Sequence, residues 1–534
     1  MNVKFLSLLY PTEEALRRHE RGEDSPLITE AVCEELGLTE LLTLKNSRLS
    51  DYFTKSAEVI LYRQKTLADV ERLPQLGETL SKVLPILCDI EELRRMDAGR
   101  APSGESYLYS ITEIELYISC INALYEGLSP IKDSLQSPAF QTLASAIEVL
   151  VDSEYYRDLN ENLKKLSSRI HEVKSITVGV NLDAQLRPCD AGVISINAET
   201  FKSGKVLDKI LRMSFKNDAF TCIADIVPFE KDHSENRKEA LQSAFYSAID
   251  KVFRASVREW RAIVSEYVLE NTDFLLRILP EIEFVTRAAE LRHRLAAYNN
   301  PAVFPTVLPM EEKGFDAKGL YNPDVALKIK ARAVPNDFAF DEAGRIYVLT
   351  GPNRGGKSVI TCAVGLAQAM AQLGMPVAAE AAAISPVDAI FVHFPTGAED
   401  TIDKGRLGEE CARLREILDA VSKDSLILLD ESLSSTGAYE ASSIASELLA
   451  GFAAIACRGI FSTHLHDLAA SVDAINERVA PLGGSRLDTL VAGIEKGERS
   501  FLILRQKPDG KSYAGDIAAK YGLSLENILQ NRKG

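Results

Sequence analysis

Eight consecutive residues, Gly351-Pro-Asn-Arg-Gly-Gly-Lys-Ser358, constrain this chain more than any other stretch of its 534 residues. They fit the pattern G-x-x-x-x-G-K-[ST] and stand in the context that gives the pattern meaning. Arg345–Thr350 before them reads as a strand, and Val359–Leu373 after them as an apolar helix. Glycines in such a loop let backbone N–H groups turn inward around a polyphosphate, and the helix N-terminus adds partial positive charge. The pattern assigns Gly351, Pro352, Asn353, Arg354, Gly355, Gly356 and Val359 to the nucleotide cradle, Lys357 to the β- and γ-phosphates and Ser358 to Mg²⁺. ATP and Mg²⁺ are the implied cofactors.

Two later segments complete this chemistry. Ser425-Leu-Ile-Leu-Leu-Asp-Glu is an apolar run ending in two carboxylates, as expected of a buried central strand whose C-terminal end faces the phosphate loop. Asp430 is expected in the Mg²⁺ shell and Glu431 beside the attacking water. Phe461-Ser-Thr-His-Leu-His ends a second apolar strand just before His464, placed to sense a γ-phosphate or the water. From about residue 311 onward, strand patterns alternate with helix patterns, which predicts an α/β domain with a mainly parallel sheet. Ala389–Phe394 and Gly459–Ser462 are further strands, and Ser500–Arg505 is a late edge strand.

The first 175 residues read as helical. Leu67, Val70, Leu73, Leu76 and Leu80 recur at steps of three and four, with Pro74 placed to break the pattern. Similar periodicity runs through Ile111–Leu124 and Phe140–Val151. Residues 175–230 change character: two β-branched segments, Ser175–Asn181 and Gly192–Asn197, predict strands with Pro188 and Asp190 as turn material, and Phe220–Val227 is a candidate third strand. A long helix is expected over Glu235–Asn271, ending in a break by Pro280. Asn299-Asn-Pro-Ala-Val-Phe-Pro reads as a linker.

Composition excludes several classes. The chain is too long for one core. Its net charge of −16 argues against coating nucleic acid through overall charge. Eight scattered cysteines lack metal or disulfide-framework spacing. No signal-peptide pattern and no apolar run of about 18 residues is present, so a cytoplasmic protein without membrane contact is expected.

Taken together, the motifs resemble those of the MutS family of DNA mismatch-repair ATPases, relatives of the ABC ATPases. Thr350-Gly-Pro-Asn-Arg-Gly-Gly-Lys-Ser is similar to the family's phosphate loop, whose Pro-Asn pair is more specific than a generic one. Val334-Pro-Asn-Asp resembles the family's nucleotide-flanking segment and adds Asn336 as a nucleotide contact. Gly397-Ala-Glu-Asp, Leu428-Leu-Asp-Glu, Ser462-Thr-His and the closing segment Tyr521–Leu529 resemble its later motifs. The resemblance implies a helical core/lever region over 1–310 with a small β-containing clamp insertion at about 175–230, followed by an ABC-like P-loop ATPase domain over 311–534. It also implies a homodimer with nucleotide sites completed in trans.

Several positions depart from the family pattern. Ala333 stands where the family stacks an aromatic on adenine, and Leu433-Ser-Ser-Thr replaces the usual G-R-G-T. The trans-acting signature is altered around Arg406, which is a candidate trans contact. The mismatch-wedging N-terminal domain and a C-terminal nuclease extension are expected to be absent.

Lys202, Lys205, Lys209, Arg212 and Lys216 step by three and four, which on a helix gathers five positive charges on one face where the family places its DNA clamp. A solvated helix face is the competing reading. The resemblance implies a DNA-binding ATPase of the mismatch-repair or recombination type, with an ATPase switch acting on a protein partner as the alternative.

Overall fold

Helices predominate among the described residues up to 171, as the apolar spacing predicts. They are α1 (Glu13–Glu20), α2 (Glu30–Glu35), α3 (Leu38–Leu41), α4 (Ala57–Arg72), α5 (Pro74–Asp97), α6 (Gly104–Leu128), α7 (Pro138–Val151) and α8 (Glu154–His171). In this computed structural model the described residues are 5–97, 104–171, 175–182, 184–185, 188–197, 199–200, 202–203, 221–222, 273–394, 405–495 and 498–508. Side-chain caps fix the starts of α1, α2 and α4, where the hydroxyls of Thr12, Thr29 and Ser56 accept backbone N–H groups. Pro74 divides α4 from α5 at the first position of the second helix, where its missing N–H costs nothing. The apolar pattern survives the break: Leu67, Val70, Leu76 and Leu80 are all buried.

After α8, β1 (Ser175–Leu182) and β2 (Pro188–Asn197) form an antiparallel pair. Pro188 and Asp190 belong to β2 and not to a turn as expected, for the turn is at 184–185. Pro188 is the first residue of its strand, a position that needs no ladder donor. Two-residue strands β3 (Lys202–Ser203) and β4 (Thr221–Cys222) pair in parallel. The expected helix over 235–271 lies outside the described residues. Helix α9 (Asp273–Ala296) runs straight through Pro280. The break expected there does not occur: Leu279, Ile282, Phe284 and Val285 are buried around it, and that packing outweighs the lost backbone bond.

The rest of the chain builds two sheets. The smaller contains β5 (Thr306–Val307), β6 (Phe315–Leu320), β7 (Asn336–Phe340) and β9 (Ala381–Ile384) in the order β5-β9-β6-β7. The larger contains β8 (Ile346–Thr350), β10 (Ile390–His393), β11 (Leu426–Asp430), β12 (Arg458–Ser462), β13 (Leu487–Glu495) and β14 (Glu498–Arg505) in the order β10-β11-β12-β8-β13-β14. Its first five strands are parallel, and β14 closes one edge antiparallel to β13, the edge place the sequence predicts for it. Helices α10 (Pro323–Ile329), α11 (Lys357–Gln372), α12 (Gly405–Ala420), α13 (Ala438–Ile455), α14 (His466–Ala470) and α15 (Val472–Val479) accompany these sheets.

Every residue of β8, β11 and β12 is buried, which is why these strands read as continuous apolar runs. Ile346, Val348, Ile427, Leu429 and Phe461 meet α13, α14 and α15 in one apolar core. On the opposite face α11 passes so close that a Cβ on its Gly365 would stand 2.6 Å from Leu428 Cδ1.

The described residues fall into two compact units, one made of 78–134, 142–279 and the first six residues, the other of 7–77, 135–141 and 280–534. In the first, Tyr156 of α8 donates to Asn122 Oδ1 of α6 at 2.9 Å. In the second, buried Asp69 of α4 accepts from the backbone N–H groups of Gln136 (2.9 Å) and Ser137 (2.7 Å), just before α7. Residues 7–77 thus pack in the unit that holds both larger sheets, whereas the expected boundary falls at 310. Among the described residues no helix is long and apolar enough to cross a membrane.

Candidate nucleotide site

Strand register brings the three sequence motifs to one edge. Asp430 pairs with Ser462, and Ser462 with Leu349, so neighbouring parallel strands end level with one another. The phosphate loop leaves β8, Glu431 follows β11 and His464 follows β12, all from the same C-terminal side of the sheet. This is the crevice in which open α/β sheets bind ligands.

The loop's shape depends on close packing. Gly351 has φ +138°, and a Cβ there would stand 2.7 Å from Ala492 Cβ of β13. Gly356 has φ +97° and begins α11 in the left-handed region. Arg354 also adopts positive φ, so the loop backbone leaves the right-handed region at three positions.

Lys357 is almost wholly buried, and its Nζ donates to the carbonyls of Gly351 (3.2 Å) and Pro352 (3.4 Å). Burial holds its ammonium below the ordinary lysine range, while the carboxylates of Glu431 and Asp430 pull the other way. His464 Nε2 lies 2.7 Å from Glu431 Oε1 and 3.5 Å from Lys357 Nζ. Glu431 itself has φ +49°, rare for a side chain of its size, and its N–H donates to Ser462 O at 2.8 Å. Such strain persists only where the surroundings impose it, here through the β11–β12 register.

Asp430 is 5% exposed, and its Oδ1 is buried without a hydrogen-bond partner. The hydroxyls of Ser358 and Ser462 hydrogen-bond to the same carboxylate, but burial still pushes its pKa upward. A carboxylate oxygen buried beside a serine hydroxyl, with no donor to satisfy it, suits a hard divalent cation. Ser358 and Asp430 therefore fit the Mg²⁺ shell expected of them.

A pocket of about 460 Å³ adjoins the loop, lined by Arg354, Gly356, Lys357, Ser358, Val359 and Glu431 on the phosphate side. Asn336 is at its rim, with its amide committed to β14: Nδ2 donates to Phe501 O (3.2 Å) and Oδ1 accepts from Ile503 N–H (2.7 Å). Asn353 is exposed on the loop.

Other sequence candidates are dispersed or out of view. Lys202 falls on the short strand β3 and not on the expected helix. Lys205, Lys209, Arg212 and Lys216 lie outside the described residues, as do Gly397–Asp400 and Tyr521–Leu529. Arg406 is in the first turn of α12. Sequence reasoning missed His393, whose buried Nδ1 lies 2.7 Å from Ser432 Oγ, next to Glu431. It also missed Phe501 and Ala492, which reach the loop only through the β13–β14 hairpin.

The parallel sheet and the three loops at its edge define a class: a P-loop α/β domain. Two family models match the chain, the MutS2 N-terminal domain over residues 55–298 and MutS domain V over 347–513. Between them they cover most of it, and the chain belongs to the MutS family. It is 27% identical over 434 residues to the DNA mismatch repair protein MutS of Methanothrix thermoacetophila, covering 77% of this chain and 49% of that protein. It is 28% identical over 326 residues to the Endonuclease MutS2 of Thermomicrobium roseum, covering 58% and 38%. A third relative, the Endonuclease MutS2 of Thermus thermophilus, is 36% identical over 196 residues, covering 36% and 25%. The chain thus spans half or less of the length of these curated relatives.

Proposed function

We propose that the chain binds and hydrolyses ATP with Mg²⁺ and couples that cycle to DNA through a homodimer. The observation that carries the ATPase reading is the convergence of Lys357, Asp430, Glu431 and His464 on the phosphate loop. Lys357, held among loop carbonyls, would exchange those contacts for phosphate oxygens and neutralise charge developing in the transition state. Glu431 would orient the attacking water for in-line displacement, its carboxylate steered by His464. Ser358 and Asp430 would hold Mg²⁺, which supplies charge neutralisation at the β- and γ-oxygens when bound.

The DNA reading rests on the family, whose members bear names of DNA mismatch repair proteins and endonucleases, and on the basic series Lys202, Lys205, Lys209, Arg212 and Lys216. The helical region over 1–310 would transmit dimer closure to that series, and the domain over 311–534 would hold the nucleotide. A net charge of −16 favours a second reading, an ATPase switch that acts on a protein partner.

One experiment separates them: ATP turnover by the full chain with branched, mismatched and plain duplex DNA, with Glu431→Ala as control. Stimulation by one DNA form, lost in the variant, supports the DNA-coupled reading. Turnover indifferent to every DNA favours the protein switch, and turnover unchanged by Glu431→Ala overturns the assigned chemistry.

A further inference from the structure

The turn that carries Glu431 is held in a conformation its own residues disfavour. Glu431 has φ +49° and Leu433 has φ +65°, so the left-handed region is occupied on both sides of Ser432. The family pattern has glycine at the second of these positions, where it would adopt such a backbone freely; here a leucine does so. A conformation of this kind persists only where neighbours impose it. Two restraints act on the flanking residues. Ser462 O of β12 accepts from Glu431 N–H at 2.8 Å, and Leu433 is buried in the apolar core. Neither of them fixes Ser432.

The third restraint comes from β10, on the other side of β11. His393 is the last residue of β10 and pairs in register with Leu429. Its Nδ1 lies 2.7 Å from Ser432 Oγ, and both residues are buried. Breaking this pair from either side leaves a buried polar group unsatisfied. The histidine is itself well held. Glu35 of α2 hydrogen-bonds to the backbone of Phe394, the next residue. Glu410 of α12 faces the imidazole and also accepts from Ser435 Oγ at 3.2 Å, further along the same loop. Burial keeps the ring below the ordinary histidine range, with Glu410 opposing this and Arg413 of α12 reinforcing it. A neutral ring with its proton on Nε2 accepts from the serine hydroxyl through Nδ1.

Packing alone does not call for this pair. An apolar side chain of similar volume would fill the place of His393 without the cost of burying polar atoms. What the hydrogen bond adds is direction: it fixes Ser432, and with it the backbone that aims Glu431 at the phosphate loop. His393 is outside the pocket lining, whereas Glu431 is part of it.

We propose that His393 is a positioning residue for ATP hydrolysis, which holds Glu431 in its working orientation by gripping Ser432. This rests on the ATPase reading above. Glu431 is thereby set from two directions, its carboxylate by His464 and its backbone by His393. The grip acts on turnover and leaves nucleotide affinity to the phosphate loop.

The test is steady-state phosphate release beside equilibrium Mg-ATP binding, both on the full chain. His393→Leu and Ser432→Ala should each lower kcat by about tenfold or more, the scale of a misplaced catalytic group, with ATP affinity within about twofold. The double variant should be no slower than either single one, because both changes break the same contact. His393→Asn, whose carboxamide oxygen can take the place of Nδ1, should recover most of the turnover. In a Glu431→Gln background, His393→Leu should cost nothing more. Full turnover in Ser432→Ala, which removes a single oxygen and stands as a test even where His393→Leu folds poorly, overturns the proposal. So does a further fall in the Glu431→Gln background, as general loosening of the domain would produce. Wild-type turnover that Glu431→Gln leaves unchanged would overturn the ATPase reading, and this proposal with it.

Discussion

His464 Nε2 and Glu431 Oε1 stand 2.7 Å apart on loops that follow adjacent parallel strands, with Lys357 Nζ 3.5 Å from the same imidazole nitrogen. Three residues separated by up to 107 positions thus share one contact network. On the proposed reading the histidine would steer the carboxylate that orients the attacking water, so the two side chains should fail differently. Glu431→Gln should still bind ATP yet lose about a hundredfold or more in turnover, because the water loses its acceptor. His464→Ala should lose about tenfold, with ATP affinity little changed. Steady-state phosphate release beside equilibrium nucleotide binding checks both, and full turnover in His464→Ala would remove the steering role.

Asp430 predicts a coupling between pH, metal and stability. Burial raises its pKa, so the folded chain holds this proton more tightly than the unfolded chain. Without nucleotide, stability should therefore decline as pH rises from the ordinary aspartate range through the raised value. Asp430→Asn should flatten that decline and also abolish the extra thermal stabilisation that Mg²⁺ adds to bound ATP. Melting curves across pH, with and without Mg-ATP, measure both. A variant that retains the Mg²⁺ increment would remove Asp430 from the metal shell.

Leu433 offers a contest between strain and packing. It has φ +65°, yet its side chain is 1% exposed within the apolar core. Truncation to alanine should cost about 2–4 kcal/mol through lost burial and a cavity. Glycine loses slightly more side chain but relieves the left-handed backbone, worth about 1 kcal/mol. Leu433→Gly should therefore be at least as stable as Leu433→Ala, the reverse of the usual order for these two residues. Urea denaturation of the pair decides it, and a clearly more stable alanine variant would mean that this backbone carries no strain.

Asp69 supports the start of α7 from a distance. Its buried carboxylate accepts from Gln136 N–H and Ser137 N–H and pairs with Arg72 at 2.5 Å. Asp69→Ala strands the buried N–H of Ser137 and should destabilise the chain by about 2–3 kcal/mol. Chemical denaturation measures the loss, and a change below about 0.5 kcal/mol would show that water replaces the carboxylate.

Some of this was legible in the sequence because its physics is local. The loop Gly351–Ser358 needs glycines at fixed places between a strand and a helix, and those demands are met by consecutive residues. Buried parallel strands must be apolar on both faces, so β8, β11 and β12 announced themselves, with Asp430, Glu431 and His464 at or just beyond their ends. Pro74 marked a helix start because its ring and missing donor act on its own backbone.

Tertiary structure alone decided the rest, because it depends on which strands lie side by side. Strand order and register set Asp430 beside Ser462 and bring His464 to Glu431, and spacing in sequence carries no such information. Pro280 stays within a helix because buried neighbours outweigh its local preference. Asn336 reads as a nucleotide contact in sequence, yet the fold commits its amide to β14. Phe501 was invisible as a site residue for the same reason. Its place beside the phosphate loop follows from a bulge opposite Gly493, and a bulge exists only once two strands have paired.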